Sequence, residues 1–568
     1  MSNGETIIHF RPFAAVVAHA QLEADLANLL STQYTARSIS VFCGSMLRPS
    51  CVVFDSKIHK NLSRRDLNAL CRSCKSSGKN LADVSDVLLE NFTTREDRKR
   101  VSEIVRDASE GKKFDVEVDG LPIGAWTTYD SLISRKAVDL DSEEVSTHYF
   151  KNLRSSLLAF FASKAIIASL SPTALVVHSY QYAINRAFAG AFLAQGLAVY
   201  DIYNAGSTQK PRAIRINKVK NYRKTTLLED SRLNHPQESP IIESEVAELS
   251  AWLEGKTSGQ SVTAYSPGRS GLDASSIREG LGLDPNKKVA LYLTSSPDEL
   301  VASYGARLRD GSTAQYSALD QERMVSFLQE AAEEISDWQF VVRLHPRLVS
   351  ERRNKHQSER FESLSNMLSS DSNSLFANVP SDGFGIWDLA MISDVVINRG
   401  STAGLEMLAA GLPVITLGGE FHEAYPSALN NRIVELDLES LRRGLEAEQA
   451  SGWSIENSRR AFRWIATWLC RTAVDLAEVG ADTESERLES KIPERTRWDG
   501  RSKDREPLSA ISFLESAASW KREIPDGTAE KDHLGNLMVQ LFDSLHPWSG
   551  AEGLVSGLAD LVTSEYRK

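Results

Sequence analysis

Cysteine is scarce, with five in 568 residues, too few for a small disulfide-stapled secreted fold. No stretch approaches the roughly 20 apolar residues that span a bilayer. The apolar cluster LLAFFASKAIIASL carries lysine and serine and reads as a core helix. The beginning, MSNGETIIHFRPF, has neither a basic leader nor an apolar run, so no secretory signal is expected. Positive charge is not in surplus either. The net charge is −11, which disfavours general nucleic-acid binding. There is no internal repeat, and the C-terminal half holds no Asp-x-Asp metal motif. What these absences leave is a cytoplasmic globular protein of several domains, with reduced thiols.

The composition, 42% hydrophobic and 25% charged, supplies an ordinary core. The residues divide into an N-terminal lobe over 1–270, a C-terminal lobe over 271–480, and a charged linker with a helical appendage over 481–568. Linker chemistry is evident in GKTSGQSVTAYSPGRSGLD (255–273) and in the charged run 482–507. HLGNLMVQLFDSL and AEGLVSGLADLV beyond it read as small amphipathic helices.

Residues 286–430 alternate short apolar runs with helical stretches, the pattern of a parallel α/β sheet. KKVALYLTSSPDEL predicts a strand over Val289–Leu293, then a helix opened by Ser296 and Pro297. DWQFVVRLHPRL predicts a strand over Phe340–Leu344 that stops at His345-Pro346-Arg347. SDVVINRGSTAGLEMLAAGLPVITLG predicts a strand (Asp394–Asn398), a glycine turn, a helix (Thr402–Ala410) and a strand (Val414–Leu417). All three loops then lie at the carboxyl edge, where open α/β sheets bind ligands. The helix opened by Arg399, Gly400, Ser401 and Thr402 suits a phosphate, and Glu406, one turn deeper, suits ribose hydroxyls. His345 and Arg347 would neutralise the same phosphate. Each piece has a plainer reading: Ser401 as a helix cap, Glu406 as a solvated residue.

RLHPR followed by SDVVINRGSTAGLEMLAAGLPVI resembles the donor-binding half of GT-B glycosyltransferases. It is most similar to bacterial capsule and surface-polysaccharide biosynthesis proteins, a group that includes Kdo-transferase-like enzymes. The resemblance covers about 286–425 and implies a GT-B-like α/β fold of two Rossmann-like lobes facing a cleft. It further implies transfer of a sugar from a nucleotide-sugar donor to a glycan or lipid-linked acceptor, with peripheral inner-membrane contact where the acceptor resides. It assigns the donor phosphate and nucleoside to His345, Ser401, Thr402 and Glu406. Arg347 and Arg399 join them by charge and position. No cofactor is expected for the chemistry, because histidine and arginine around a phosphate take a metal's place. A nucleotide-sugar 2-epimerase, a CDP-polyol phosphotransferase and a non-catalytic glycan- or partner-binding scaffold remain as alternatives.

In the N-terminal lobe, a strand (Ala174–His178), a helix (Ala183–Gln195) and a strand (Ala198–Tyr203) form a βαβ unit. His178, Asn185, Arg186 and Asn204 fall at its loops and are the acceptor-side expectations. Proteins of the resembled kind often carry an acidic residue after the second strand; Asn204 occupies that loop here and Asp201 lies inside the strand.

Four of the five cysteines cluster: Cys43, Cys51, Cys71 and Cys74, with gaps of seven, nineteen and two residues. Four thiolates suit a structural zinc with a closed shell, or less readily an iron–sulfur cluster. Ordinary reduced thiols are the alternative, and Cys470 reads as core.

Overall fold

The computed structural model describes residues 4–34, 36–51, 63–207, 209–220, 231–233, 239–260, 267–305, 321–350, 356–369, 374–418, 425–479 and 509–522, together with 524, 533–535 and 537. The charged run 482–507 and nearly all of the two expected C-terminal amphipathic helices lie outside these residues.

The first sheet contains β1 (Thr6–Phe10), β2 (Arg37–Phe42), β3 (Ser85–Leu88), β4 (Ala174–His178), β5 (Ala198–Asn204) and β6 (Ala213–Lys218). The second contains β7 (Lys288–Leu293), β8 (Trp338–Arg343), β9 (Leu375–Asn378), β10 (Val395–Asn398), β11 (Val414–Leu417) and β12 (Arg432–Val434). The short β13 (Val474–Asp475) returns to the first sheet and pairs antiparallel with β6. The orders are β13-β6-β5-β4-β1-β2-β3 and β12-β11-β10-β7-β8-β9. Within them β1 to β5, and all of β7 to β12, run parallel. Strands such as KVALYL and ALVVH are almost wholly buried, because helices cover both faces of a parallel sheet. Two Rossmann-like sheets joined by a chain that crosses back to the first make the GT-B-like architecture.

The lobes exchange chain at different points from those the composition implied. Leu233, Ile241, Leu249 and Leu253 already pack into the C-terminal lobe's core, so the crossing precedes residue 270. In the other direction, Val474, Leu476 and the helix Ala510–Ser519 complete a core with β4, β5 and β6. That helix is therefore part of the N-terminal lobe and not an appendage. Its Phe513 and Leu514 are fully buried beneath the antiparallel edge.

The helix Glu143–Leu170 is long and apolar enough to cross a membrane by length and composition. It is mostly buried between the helices Ile123–Arg135 and Ala183–Ala194, as a core helix is. Ser63 caps the helix Arg64–Asn80 through a reciprocal box with Asp66.

The return crossing is held by a buried ion pair. Arg471 grips Glu245 twice at 2.7 Å and also donates to the carbonyls of Ser239 and Pro240, with both charged side chains fully covered. Replacing Arg471 by Met strands a buried carboxylate. We expect a loss of about 3–5 kcal/mol, read as a lower denaturation midpoint, and recovery of most of it when Glu245 becomes Gln as well.

Candidate functional site

Strand register puts the expected donor loops side by side. Asn398, Leu293 and Arg343 are aligned across β10, β7 and β8, so the loops after these strands leave the sheet at one level. The order β10-β7-β8 also places the switch in strand order at β7, whose carboxyl end opens the crevice where such sheets bind ligands.

The loop after β10 is tightly specified. Asn398 Oδ1 accepts from the Ser401 amide at 3.1 Å, while its Nδ2 donates to Ser401 O and to the Tyr425 hydroxyl. Tyr425 in turn donates to Asn430 Oδ1. Gly400 has φ +90°, a region glycine occupies without strain. A Cβ on Gly404 would stand 2.1 Å from Asn398 Nδ2, so only glycine allows this approach. The helix that follows is Ala403–Ala409, shorter than expected, with Thr402 at its N-cap and no side-chain cap on Thr402. Ser401 Oγ accepts weakly from Ala403 N–H at 3.4 Å.

Glu406 is nearly buried and pairs with Lys256 at 2.9 Å. Lys256 comes from the helix Glu243–Thr257 and also lies over the Trp252 ring. Its partnership was invisible in sequence because 150 residues separate the two. Arg399 is buried, and burial lowers its pKa; its Nε has no partner.

His345 stands at the end of β8, half covered. Its amide donates to Thr294 Oγ1 on the loop after β7, which ties the two loops together. Its Nδ1 accepts from the Arg347 amide at 3.2 Å. The ring proton of the neutral imidazole therefore sits on Nε2. Desolvation, followed by the cations of Arg347, Arg343 and Lys136, pushes its pKa down to about 3. The sequence reading took this histidine as protonated; in this environment it is neutral.

Arg347 is buried and turned toward protein. It donates to Asp298 Oδ2 at 3.0 and 2.7 Å and to Ile133 O of the N-terminal lobe at 2.7 Å. Lys136 Nζ makes the reciprocal contact with Val349 O at 2.6 Å. Leu132, Val145, Val301 and Ala302 form a small apolar cluster beside it. The His345–Val349 turn is thus docked on the N-terminal lobe.

On that lobe, His178 ends β4 with its pKa pushed down to about 3 by burial and then by His19, whose ring stacks on it at 4.0 Å. Ser179, at φ +62°, shares a hydrogen bond with His178 Nδ1 at 2.9 Å, while Nε2 is buried with no partner. Asn185 donates to the carbonyls of His178 and Ser179 and so fixes this turn. Arg186 is buried over the Tyr180 ring. Asn204 is exposed and accepts from the Gly206 amide, a local turn. Asp201, inside β5, accepts from the Tyr180 amide and the Tyr203 hydroxyl. Sequence reading missed His19, Lys256 and Thr294, each of which reaches its partner only through tertiary packing.

Cys43, Cys51, Cys71 and Cys74 form no disulfide, are half-buried, and line one cavity of about 320 Å³ at the carboxyl end of β1 and β2. Among the described residues no three His, Cys, Asp or Glu side chains are gathered closely enough to hold a metal ion. Cys470 is also free and packs beside the C-terminal core.

No family model and no curated protein matches the chain. Solved structures do. A UDP-GlcNAc 2-epimerase from Neisseria meningitidis is 12% identical, over 82% of this chain and 99% of that one, with TM-score 0.25. The β-Kdo 2,4 transferase KpsC of Thermosulfurimonas dismutans is 16% identical over 48% and 79%, with TM-score 0.27. The glycosyltransferase SnogD of Streptomyces nogalater is 11% identical over 82% and 95%, with TM-score 0.23. Likeness at this level identifies no substrate.

The buried histidines set a pH response. His9, like His178, is pushed down to about 3 by burial, then by Arg11. In the unfolded chain each titrates near 6.5, so the unfolded state binds more protons between those values. Their contribution to stability should be full above about pH 6.5 and fall as pH drops toward 3. Thermal melting across that window should flatten in His178→Gln, and an unchanged slope would contradict the assignment.

Proposed function

We propose that the protein is a glycosyltransferase that moves a sugar from a nucleotide-activated donor to a glycan or lipid-linked acceptor in surface-polysaccharide assembly. The observation that carries this reading is the alignment of the Thr294, His345 and Asn398–Ser401 loops around β7, with the His345 turn docked on the lobe that carries His178. In this reading donor and acceptor groups are held on the two contacting lobes, which is the chief requirement of a transfer that needs no covalent intermediate.

In this reading the diphosphate lies against the Arg399–Thr402 loop, with Arg399 supplying positive charge. Glu406 accepts from ribose hydroxyls through Oε2, its other oxygen being held by Lys256. An acceptor hydroxyl oxygen attacks the anomeric carbon, and the bond from that carbon to the phosphate oxygen breaks. The electron pair leaves with the nucleotide, where the Nε2–H of His345 donates to the developing oxyanion. The acceptor's proton passes to His178 Nε2, whose lone pair is free when Nδ1–H donates to Ser179 Oγ.

A melting-temperature screen with CMP, CDP, UDP and GDP should show one nucleotide raising the transition. Glu406→Gln should weaken that nucleotide about 10–100-fold, the range for one charged hydrogen bond. His345→Ala should reduce turnover about 10²–10³-fold with folding retained, as loss of an oxyanion donor does. Conversion of a nucleotide sugar without any acceptor would favour the 2-epimerase instead. Absence of nucleotide binding would leave only a scaffold.

A further inference from the structure

Nothing in the proposed transfer uses the cavity at the carboxyl end of β1 and β2, yet its lining runs against the charge of the chain. The protein carries a net charge of −11, whereas Arg11, Arg48, Arg72 and Lys75 meet around this cavity with a single acid, Glu90. Arg11 is committed to protein: it holds Glu23 at 3.5 Å and donates to the carbonyls of Ala20 and Gly78. Arg48, Arg72 and Lys75 form no ion pair among the described residues, and the buried Nε of Arg48 has no hydrogen-bond partner. The thiols add no negative charge, because burial pushes Cys43 up to about 11 and Cys74 upward too.

Separate segments deliver these groups. The helix Arg64–Asn80 presents Asn68, Arg72 and Lys75 at spacings of four and three, which is one helix face. It is seated on the sheet at Gly78, where a Cβ would stand 2.5 Å from the Phe42 ring. The 3-10 turn Arg48–Ser50 supplies Arg48. Glu90 packs against Gly44, at φ +61°, where a Cβ would meet its carboxyl carbon at 3.0 Å. Pro12 and Leu70 give the cavity an apolar wall. Unmatched cations select an anion, a carboxylate accepts from hydroxyls, and an apolar wall suits the C–H face of a sugar ring. A volume of about 320 Å³ is at the lower end for small-ligand sites, room for about one or two such rings.

The position fits the same ligand. β1 lies between β4 and β2, so the strand order of the first sheet switches at β1, whose carboxyl end opens the ligand crevice. The neighbouring β4 ends in His178. Arg11 donates to Ala20 O on the helix Val17–Thr32, which also carries His19, stacked on His178.

We propose that this cavity binds an acidic sugar unit of the acceptor. Arg48, Arg72 and Lys75 take its carboxylate or phosphate, and Glu90 accepts from a ring hydroxyl. Calling this ligand the acceptor rests on the transfer proposed above; binding of an acidic sugar does not.

Calorimetric titration of the full-length chain with digalacturonate, galactose 6-phosphate and neutral galactobiose tests the site. At least one acidic probe should bind and galactobiose should not; the tighter acidic probe identifies the anion as carboxylate or phosphate. Binding should weaken as salt is raised. Arg72 and Lys75 are exposed, so their variants should fold. Arg72→Gln/Lys75→Gln should weaken the acidic probe at least about tenfold, with Arg72→Lys closer to wild type and the melting response to nucleotide unchanged. Failure of both acidic probes to bind, equal binding of galactobiose, or unaltered affinity in the double variant would overturn the site. Acidic-sugar binding, lost in the double variant, by a chain that binds no nucleotide would uphold this site and end the transfer reading instead.

Discussion

The buried pairing of Arg347 with Asp298 is the contact on which the arrangement of the two sheets around the site depends. Asp298 lies at the start of the helix that follows β7, and Arg347 lies on the turn that follows β8. Joining them locks adjacent loops of one lobe together. The same guanidinium then reaches Ile133 O on the other lobe, so one residue ties the loops at the carboxyl edge of the second sheet both to each other and to the first lobe. A planar group with several fixed donors is suited to this, and lysine could not reproduce it. Because the pair is desolvated, removing either partner would leave an uncompensated charge, which makes the junction all-or-none in character.

Around this junction polarity is rationed. His345, His178 and His9 are all held neutral by burial, so in the resting protein they carry no charge. The cationic work falls to Arg399 and Lys256, with Lys256 already matched to Glu406. A site arranged in this way presents hydrogen-bond donors and acceptors in set directions before any ligand arrives.

Much of the site region was legible because local rules govern it. The runs VALYL, FVVRL and DVVIN are too short and apolar for anything but buried parallel strands, and the observed β7, β8 and β10 follow them within a residue or two. His345-Pro346 had to leave the sheet, since proline cannot continue the ladder. The expected helix after Gly400 was longer than the observed one, because Thr402 serves as its cap and Ala410 already lies beyond its last turn.

What the sequence determined by itself was the alternation of strands and helices, the edge at which the loops emerge, and the kinds of residue placed there, because periodicity, capping and proline act over a few neighbouring positions. Only the tertiary structure decided which partners those residues meet. Arg347 turns from open space to Asp298 and Ile133. Glu406 finds Lys256, and the C-terminal helix Ala510–Ser519 closes a core begun at Thr6. Each of these joins residues tens to hundreds of positions apart, and desolvation in the folded state, which no local pattern encodes, sets the protonation of the histidines.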